Sequence, residues 1–522
     1  MIPAANLGRL LTHTARRIPH GAALRWRERV WSWSELDARV DLLCAALRSE
    51  GIRAGDRVLV HMRNSNAMFE SLWACLKIGA VWVPVNYRLT PAEVAYLATA
   101  SGAVALLRDH GFASHAAAVR HAAPECTTVI AAGDAQAGEL DYESLIAQAL
   151  RPPPDHEATV GRDDPCWFFF TSGTTGRPKA ATLTHGQMGF VVTNHLADLM
   201  PGLTERDVSL VIAPLSHGAG IHALSQVARG ACSILMPGQH LDTAVAWDLI
   251  ERFGVSNMFT VPTILNLLVE DERAAPHALR HVIYAGAPMY RDDQKRALQR
   301  LGHCLVQYFG LGEVTGNITV LRADQHSLDD DQPGARSCGA PRTAMDIAIL
   351  DDTGLRLAPL LIGEICVRGG AVFAGYHGNP EATAQAFRDG WFHTGDLGFL
   401  DSHGFLHITG RSSDMFISGG ANVYPREVEE ALLTHPAVIE CAVVGLPHPK
   451  WGEVGVACIV LRDPARTVAP EELSAHLEAM LAKYKHPRLM VFWDTLPTSA
   501  YGKVPKTMLR ERLLQEGVSF GG

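Results

Sequence analysis

The sequence predicts an α/β protein, with a large N-terminal domain of α/β subdomains and a small C-terminal α+β domain. Three observations carry this expectation. Between Trp31 and Leu107 short apolar runs alternate with segments of helical apolar spacing, the pattern of strands layered against amphipathic helices. The polar, proline-rich connection from Arg151-Pro152-Pro153-Pro154 to Asp164-Pro165 separates that block from a further aromatic strand. The chain of 522 residues is too long for one ordinary hydrophobic core, so at least two domains are expected.

Taken in order, Trp31-Ser32-Trp33-Ser34 leads into a first clear helix. Ser34 and Asp37 form a capping-box-like pair, Leu36, Val40, Leu43 and Leu47 follow at helical spacing, and Gly51 stops it. Arg57 to His61 reads as a strand, Ala67 to Ile78 as a helix, and Gly79 to Val85 as a buried strand. A helix starts at Pro91 and a strand lies near Val104 to Leu107. Further strands are expected at Val208 to Pro214, His281 to Tyr284 and Phe405 to Thr409. The last 110 residues or so read as a small domain of ordinary size. In it a helix starts at Arg426, strands run from Ala437 to Val444 and from Val456 to Leu461, and a helix spans Glu471 to Tyr484 with Leu473, Leu477, Met480 and Leu481 on one side.

The stretch that organises the chain is Phe168 to Gln187, FFFTSGTTGRPKAATLTHGQ. An aromatic run ending at Phe170 reads as a buried strand. The nine residues Thr171, Ser172, Gly173, Thr174, Thr175, Gly176, Arg177, Pro178 and Lys179 read as a polar loop. Its glycines open backbone angles closed to other residues. Its four hydroxyls, its amides and the cations Arg177 and Lys179 suit a polyanion. On composition alone a Ser/Thr-rich surface turn fits as well. It is not a Walker A loop, in which lysine follows the second glycine directly.

Composition narrows the function class. Hydrophobic residues make up 47% and charged residues 19% of the chain, ordinary for a globular enzyme, and the net charge of −9 implies no nucleic-acid face. Ten cysteines without a C-x-x-C pair argue against a zinc site or disulfide framework and fit a reducing cytoplasm. The N-terminal stretch carries no signal-peptide pattern, and no apolar run is long enough for a transmembrane anchor.

The nine-residue loop resembles the phosphate loop of the adenylate-forming superfamily, which includes acyl-CoA synthetases, firefly-type luciferases and peptide-synthetase adenylation domains. The resemblance covers nearly the whole chain, with five separated motifs in family order. It implies that Thr171 to Lys179 hold the β- and γ-phosphates of ATP. His217, in Leu215-Ser216-His217-Gly218, would border the acyl site. Gly286, Ala287 and Pro288 would border the adenine. Gln307, Tyr308, Phe309 and Gly310 would fall at the nucleotide, with Phe309 stacked on the adenine, and Glu313 would ligate Mg2+. Asp396, in Trp391-Phe392-His393-Thr394-Gly395-Asp396, would accept hydrogen bonds from the ribose hydroxyls, although an Asx-turn is its alternative. Arg411 would sit at the ribose and phosphate, and Ser413 at the family's hinge. The resemblance thus divides the chain into residues 1–411, an ATP- and acyl-binding domain, and 412–522, a mobile lid. In the lid, Gly419 and Gly420 would pack against the pantetheine channel, and Lys503, before Val504 and Lys506, would be the adenylation lysine.

The chain departs from the family pattern at Gly312, where a threonine is usual. The loss of that hydroxyl is expected to weaken adenylation, with Thr315 as a nearby substitute, or to enlarge the acyl tunnel. The segment from Ala213 to Gln226 has no Asp or Glu, which favours a plain carboxylic acid over an amino acid. The implied reaction is ATP-dependent activation of a fatty or aromatic acid to an acyl-adenylate, then transfer to coenzyme A, with ATP, Mg2+ and CoA as reactants and Lys503, His217 and Glu313 as catalytic groups. A carrier-protein loader and, because of Gly312, a catalytically impaired nucleotide or acyl binder are the alternatives, and the resemblance admits a homodimer.

Overall fold

The computed structural model describes residues 3–171, 177–238, 241–274, 277–465, 467–498 and 504–520. Two compact units divide the chain. The first gathers Met1–Met289, Asp293–Ile347 and Val367–Phe392; the second gathers Tyr290–Asp292, Ala348–Cys366 and His393–Gly522.

The first unit contains two large sheets. In one, the strands Lys179–Thr184, Pro165–Thr171, Val81–Pro84, Arg57–His61, Ala105–Asp109, Thr128–Ala132 and Leu140–Asp141 lie side by side in that order. Only the first pair is antiparallel. The other sheet has a parallel centre ordered Leu305–Phe309, His281–Tyr284, Asn257–Thr260, Val208–Val211, Cys232–Leu235 and Ala22–Trp26. Parallel strands need helical crossovers that cover both faces. Their apolar side chains are accordingly buried: Leu210, Met258, Val282 and Leu305 share one core with Trp247, Leu268 and Leu298 from covering helices.

The first long helix, Trp33–Ser49, shows where local reading fell short. Its cap is Ser32, not Ser34: the Ser32 hydroxyl accepts from the Glu35 amide at 3.2 Å, and Glu35 accepts from the Ser32 amide at 2.7 Å. Ser32 is extended whereas Ser34 already lies inside the helix, and only an extended residue can turn its oxygen onto the first free amides. Asp37 is thereby free for another task. It accepts from Lys77 Nζ at 2.6 Å, as Asp41 does, inside the domain. Both carboxylates hold a lysine whose side chain is fully buried, a placement that requires such pairing.

In the second unit the strands Ala421–Val423, Phe416–Ser418, Gly452–Leu461 and Val438–His448 form a sheet extended by Leu489–Phe492. Period-two alternation gives it two cores. Val443, Ala457 and Ile459 pack with Val428, Leu432, Leu473 and Leu477, whereas Ala442, Val444, Val456 and Cys458 pack with Trp493, Leu509 and Leu513. The helix expected over Glu471 to Tyr484 is shorter, Pro470–Glu478. Ala482 is extended and a separate turn follows at Lys483–Lys485, so Met480 is exposed rather than on the buried side. The ten cysteines are all free and buried. No helix among the described residues is long and apolar enough to cross a membrane.

Candidate active site

The parallel strands of the first unit bring several of the expected residues to one edge. His217 follows Val208–Val211, Gly286 to Pro288 follow His281–Tyr284, and Gly310 follows Leu305–Phe309. All three turns therefore leave the carboxyl ends of strands in one sheet, the edge at which open α/β sheets bind ligands. Asn64 braces the first turn: its Nδ2 donates to the Ala213 carbonyl at 2.9 Å and its Oδ1 accepts from the Leu215 amide at 2.8 Å. His217 itself is the N-cap of the helix Gly218–Arg229. Its Nδ1 lies 2.8 Å from the Ser216 hydroxyl, and its ring stands edge-on to Phe169 with centroids 5.6 Å apart.

Glu313 is held from both sides. Thr171 Oγ1 donates to its Oε1 at 2.8 Å and Tyr376 Oη donates to the same atom at 3.0 Å, while the Glu313 carbonyl accepts from the Phe373 amide at 2.8 Å. Only about 6% of the residue is exposed, so the carboxylate is fixed before any ligand arrives. Thr171 is paired directly with Lys179 across two antiparallel strands, which places Glu313 at the root of the hydroxyl- and glycine-rich loop. Lys179 Nζ lies 5.3 Å from the centre of the Tyr376 ring. Arg177 lies 5.5 Å from the Tyr96 ring, and Tyr96 Oη donates to the Pro178 carbonyl at 3.2 Å. Each cation of the loop thus rests on a tyrosine. Burial and the neighbouring Glu313 push the Tyr376 phenol well above its ordinary pKa, so Tyr376 stays a donor. Ser172, Gly173, Thr174, Thr175, Gly176 and Lys503 lie outside the described residues.

Gly312 has a packing explanation. A β-carbon there would lie 2.6 Å from Phe169 Cδ1 and 2.8 Å from Thr171 Cγ2. The space of the missing side chain is filled by the chain's own phenylalanine, so the glycine does not widen a tunnel. Thr315 does not stand in for the missing hydroxyl either: it is buried, and its Oγ1 donates to the Val314 carbonyl at 2.6 Å. Neighbouring residues of the Leu305–Phe309 strand face opposite ways. Gln307 Oε1 accepts from Tyr284 Oη at 3.0 Å. Tyr308 stacks towards Phe259, with ring centroids 5.9 Å apart. Phe309 ends the strand half-buried.

In the second unit Asp396 and Arg411 are register partners on antiparallel strands. Arg411 Nε donates to Asp396 Oδ1 at 3.0 Å. Asp396 is 5% exposed, and its amide donates to Thr394 Oγ1, which in turn donates to the Ile365 carbonyl at 2.7 Å. Glu364 supports the same turn, accepting from the Gly395 amide at 3.1 Å and lying 2.7 Å from His393 Nδ1. Gly419 and Gly420, with φ of 60° and 84°, make the tight turn between Phe416–Ser418 and Ala421–Val423, a conformation other residues avoid.

Sequence reasoning missed three supporting residues: Tyr376, Asn64 and Phe169. Phe169 was visible as part of an aromatic run, but its contact with Gly312 joins positions far apart in the chain. Tyr376 and Asn64 carry no local signal.

Comparison with known proteins gives a consistent answer. Residues 11–377 match the family described as AMP-binding enzyme, and residues 427–503 match the AMP-binding enzyme C-terminal domain. The chain is 38% identical over 512 residues to a feruloyl-CoA synthase from an Amycolatopsis species, covering 97% of this chain and 99% of that protein. It is 32% identical over 495 residues to indoleacetate–CoA ligase from Aromatoleum aromaticum, covering 94% and 95%. Among solved structures it resembles o-succinylbenzoate CoA synthetase from Bacillus subtilis in complex with its acyl-adenylate intermediate. There the TM-score is 0.86 and the identity 29%, covering 98% of this chain and 99% of the other.

Proposed function

The chain belongs to the AMP-binding enzyme family of adenylate-forming ligases, and on that premise we propose that it is an acid–thiol ligase that makes an acyl-CoA through an acyl-adenylate. A carboxylate cannot acylate a thiol directly, because oxide is a very poor leaving group. In the first step a carboxylate oxygen attacks the α-phosphorus of ATP, the bond to the bridging oxygen breaks, and pyrophosphate leaves. In the second step the sulfur of coenzyme A attacks the acyl carbon, AMP leaves, and the thiol proton passes to solvent.

The observation that carries this reading is the fixed Glu313 carboxylate at the root of the Thr171 to Lys179 loop. A protein's part in phosphoryl and nucleotidyl transfer is mostly positioning and charge neutralisation. Lys179 and the loop hydroxyls supply cations and donors for the departing pyrophosphate. Glu313 offers oxygen donors of the kind Mg2+ takes, and the ion would neutralise charge on the phosphates. Asp396, with Arg411 beside it, offers acceptors for the ribose hydroxyls. Lys503 supplies the cation that lets two anions, the carboxylate and the α-phosphate, approach. A functional boundary near residue 412, with Ser413 as hinge, would let the C-terminal part present Lys503 in the first step and the Gly419–Gly420 turn in the second. The free thiols fit a reducing, cytoplasmic setting.

The test is a panel of fatty and aromatic acids mixed with protein, MgATP and CoA. Acid-dependent release of pyrophosphate and AMP, with loss of free CoA thiol, is expected. Pyrophosphate release without thiol loss would point to another acceptor, and no release with any acid would overturn the reading.

A further inference from the structure

Three side chains of different chemistry meet on the sheet that carries Asp396. Glu364 and Cys366 stand two residues apart on the strand Gly363–Gly369, so both face the same way. His393 lies on the adjacent strand Trp391–Leu400. Its Nδ1 is 2.7 Å from Glu364 Oε2 and 3.3 Å from Cys366 Sγ. One oxygen, one nitrogen and one sulfur thus lie within 4.8 Å of one another, the one group of this kind among the described residues.

The pairing of Glu364 with His393 already has a use. Glu364 also accepts from the Gly395 amide at 3.1 Å, one residue before Asp396, so a carboxylate and an imidazole are enough to brace that turn. The brace does not account for Cys366. Its sulfur converges on the same ring nitrogen, and the single proton of a neutral Nδ1 is already directed at the carboxylate oxygen. A thiol, an imidazole and a carboxylate aimed at one point are the donor set of a chelate. No sequence motif announces it: a zinc site is ordinarily read from paired cysteines, and here one cysteine joins ligands from two strands.

The dimensions fit a small ion. Donors around one tetrahedral Zn2+ lie about 2.0–2.3 Å from the metal and therefore roughly 3.4–3.6 Å from each other. The nitrogen–oxygen and nitrogen–sulfur separations here are shorter, so the ion replaces the proton between them and the ligands part by under about 1 Å. On binding, the Cys366 proton goes to solvent, the His393 proton moves from Nδ1 to Nε2, and a fourth position is left for water. Glu364, its side chain 24% exposed, forms the solvent end of the group, and Cys366 is fully buried at the other. The thiolate sets the selectivity. Mg2+ takes oxygen ligands, whereas a thiolate with an imidazole suits Zn2+ and softer ions.

We propose that Glu364, Cys366 and His393 bind one Zn2+ or similar soft divalent ion, with residues other than Glu313, the Mg2+ ligand proposed above. The assignment stands whether or not the ligase reading does.

The test titrates the full chain, kept reduced, stripped of metal by a chelator and held in excess Mg2+ so that oxygen-only sites are filled. Zn2+ is added against a chromogenic zinc indicator, and Co2+ is added separately as a spectroscopic stand-in. One Zn2+ per chain is expected to bind, and Co2+ to give the sulfur-to-cobalt charge-transfer absorption and the visible bands of a tetrahedral ion. Cys366→Ser is expected to abolish the charge-transfer band. Glu364→Gln keeps an acceptor for the Gly395 amide and is expected to weaken Zn2+ binding at least about tenfold, the loss usual even for groups that only support a ligand. Zn2+ is also expected to raise the melting temperature of the unmodified protein more than that of either variant, and each variant's own melting transition shows that it is folded. No Zn2+ bound by the unmodified protein overturns the proposal and leaves the three residues as a brace. A charge-transfer band that survives Cys366→Ser places the ion on another cysteine and overturns it too, as does an affinity unchanged in Glu364→Gln. Should Cys366→Ser fail to fold, Glu364→Gln decides alone.

Discussion

Tyr376 and Thr171 donate to the same oxygen of Glu313, at 3.0 and 2.8 Å. One donor ends the strand Pro165–Thr171 and the other lies 205 residues later in sequence. Two donors on one carboxylate oxygen fix its direction, and in the function proposed above the second oxygen is the one offered to Mg2+. Tyr376 is therefore a positioning residue for Glu313. Tyr376→Phe keeps the ring under Lys179 and removes only the hydroxyl, and hydrogen bonds to charged groups contribute about 1.5–3 kcal/mol. We expect acyl-adenylate formation to fall about ten- to a hundredfold and the Mg2+ concentration for half-maximal rate to rise. Thr171→Val is expected to act on the same group, so the double variant should lose less than the sum of the singles. A purely structural role for Tyr376 would lower the rate without moving the Mg2+ dependence.

Gly312 and Phe169 form a second pair of this kind, and the pairing turns an apparent defect into a packing requirement. Restoring a side chain at 312 would drive a β-carbon into the Phe169 ring at 2.6 Å. Over-packing of this sort costs about 1–3 kcal/mol. Gly312→Thr alone is expected to lower the apparent melting temperature and the rate together. Gly312→Thr with Phe169→Ala is expected to recover stability relative to the single change. Thermal denaturation and pyrophosphate release on the four proteins of that cycle check both. A single Gly312→Thr variant that gains activity at unchanged stability would show that the glycine is a loss rather than an accommodation.

These two pairs mark what the sequence could and could not show. The α/β class, the strand before the loop and the strand His281–Tyr284 were legible, because apolar runs and helical spacing are properties of neighbours in the chain. The end of the aromatic strand, one residue past Phe170, was legible too. The direction of Glu313 was not, since it depends on Tyr376 arriving from a distant turn. The tunnel-widening reading of Gly312 failed for the same reason: whether a missing side chain leaves a hole or a contact depends on what packs there. Ser32 and Ser34 look alike in sequence, so Ser34 reads equally as the cap, and only the extended backbone of Ser32 separates them.

Lys503 gives a prediction that separates the two half-reactions. If it bridges the carboxylate and the α-phosphate, Lys503→Ala should abolish acyl-adenylate formation from acid and MgATP. Thioester formation from supplied acyl-adenylate and CoA should survive, because no second anion has to be brought to the phosphate in that step. Following pyrophosphate release in one assay and thioester absorbance in the other tests this. Equal loss of both would remove Lys503 from the first step.

Histidine burial sets the acid limit of the first unit. His61 and His222 are held at about 3 and His185 at about 4, in each case chiefly by burial, and His195 is pushed well below its ordinary 6.5 for the same reason. In the unfolded chain all four titrate near 6.5. Above that pH neither state is protonated at these sites and they exert no pH dependence. Below it the unfolded chain takes up protons that the folded chain refuses, so stability falls as pH drops from about 6.5 towards 4. Each such histidine contributes a slope of at most about 1.4 kcal/mol per pH unit. Chemical denaturation midpoints are therefore expected to be level from pH 8 to 7 and to decline steeply between about 6 and 4.5. His61→Gln removes one of these titrations without a charge at any pH and should make the decline shallower, whatever it does to the plateau. A midpoint that stays level down to pH 5 would mean that these rings are already protonated in the folded protein, and hence that the core around His222 is wetter than its burial implies.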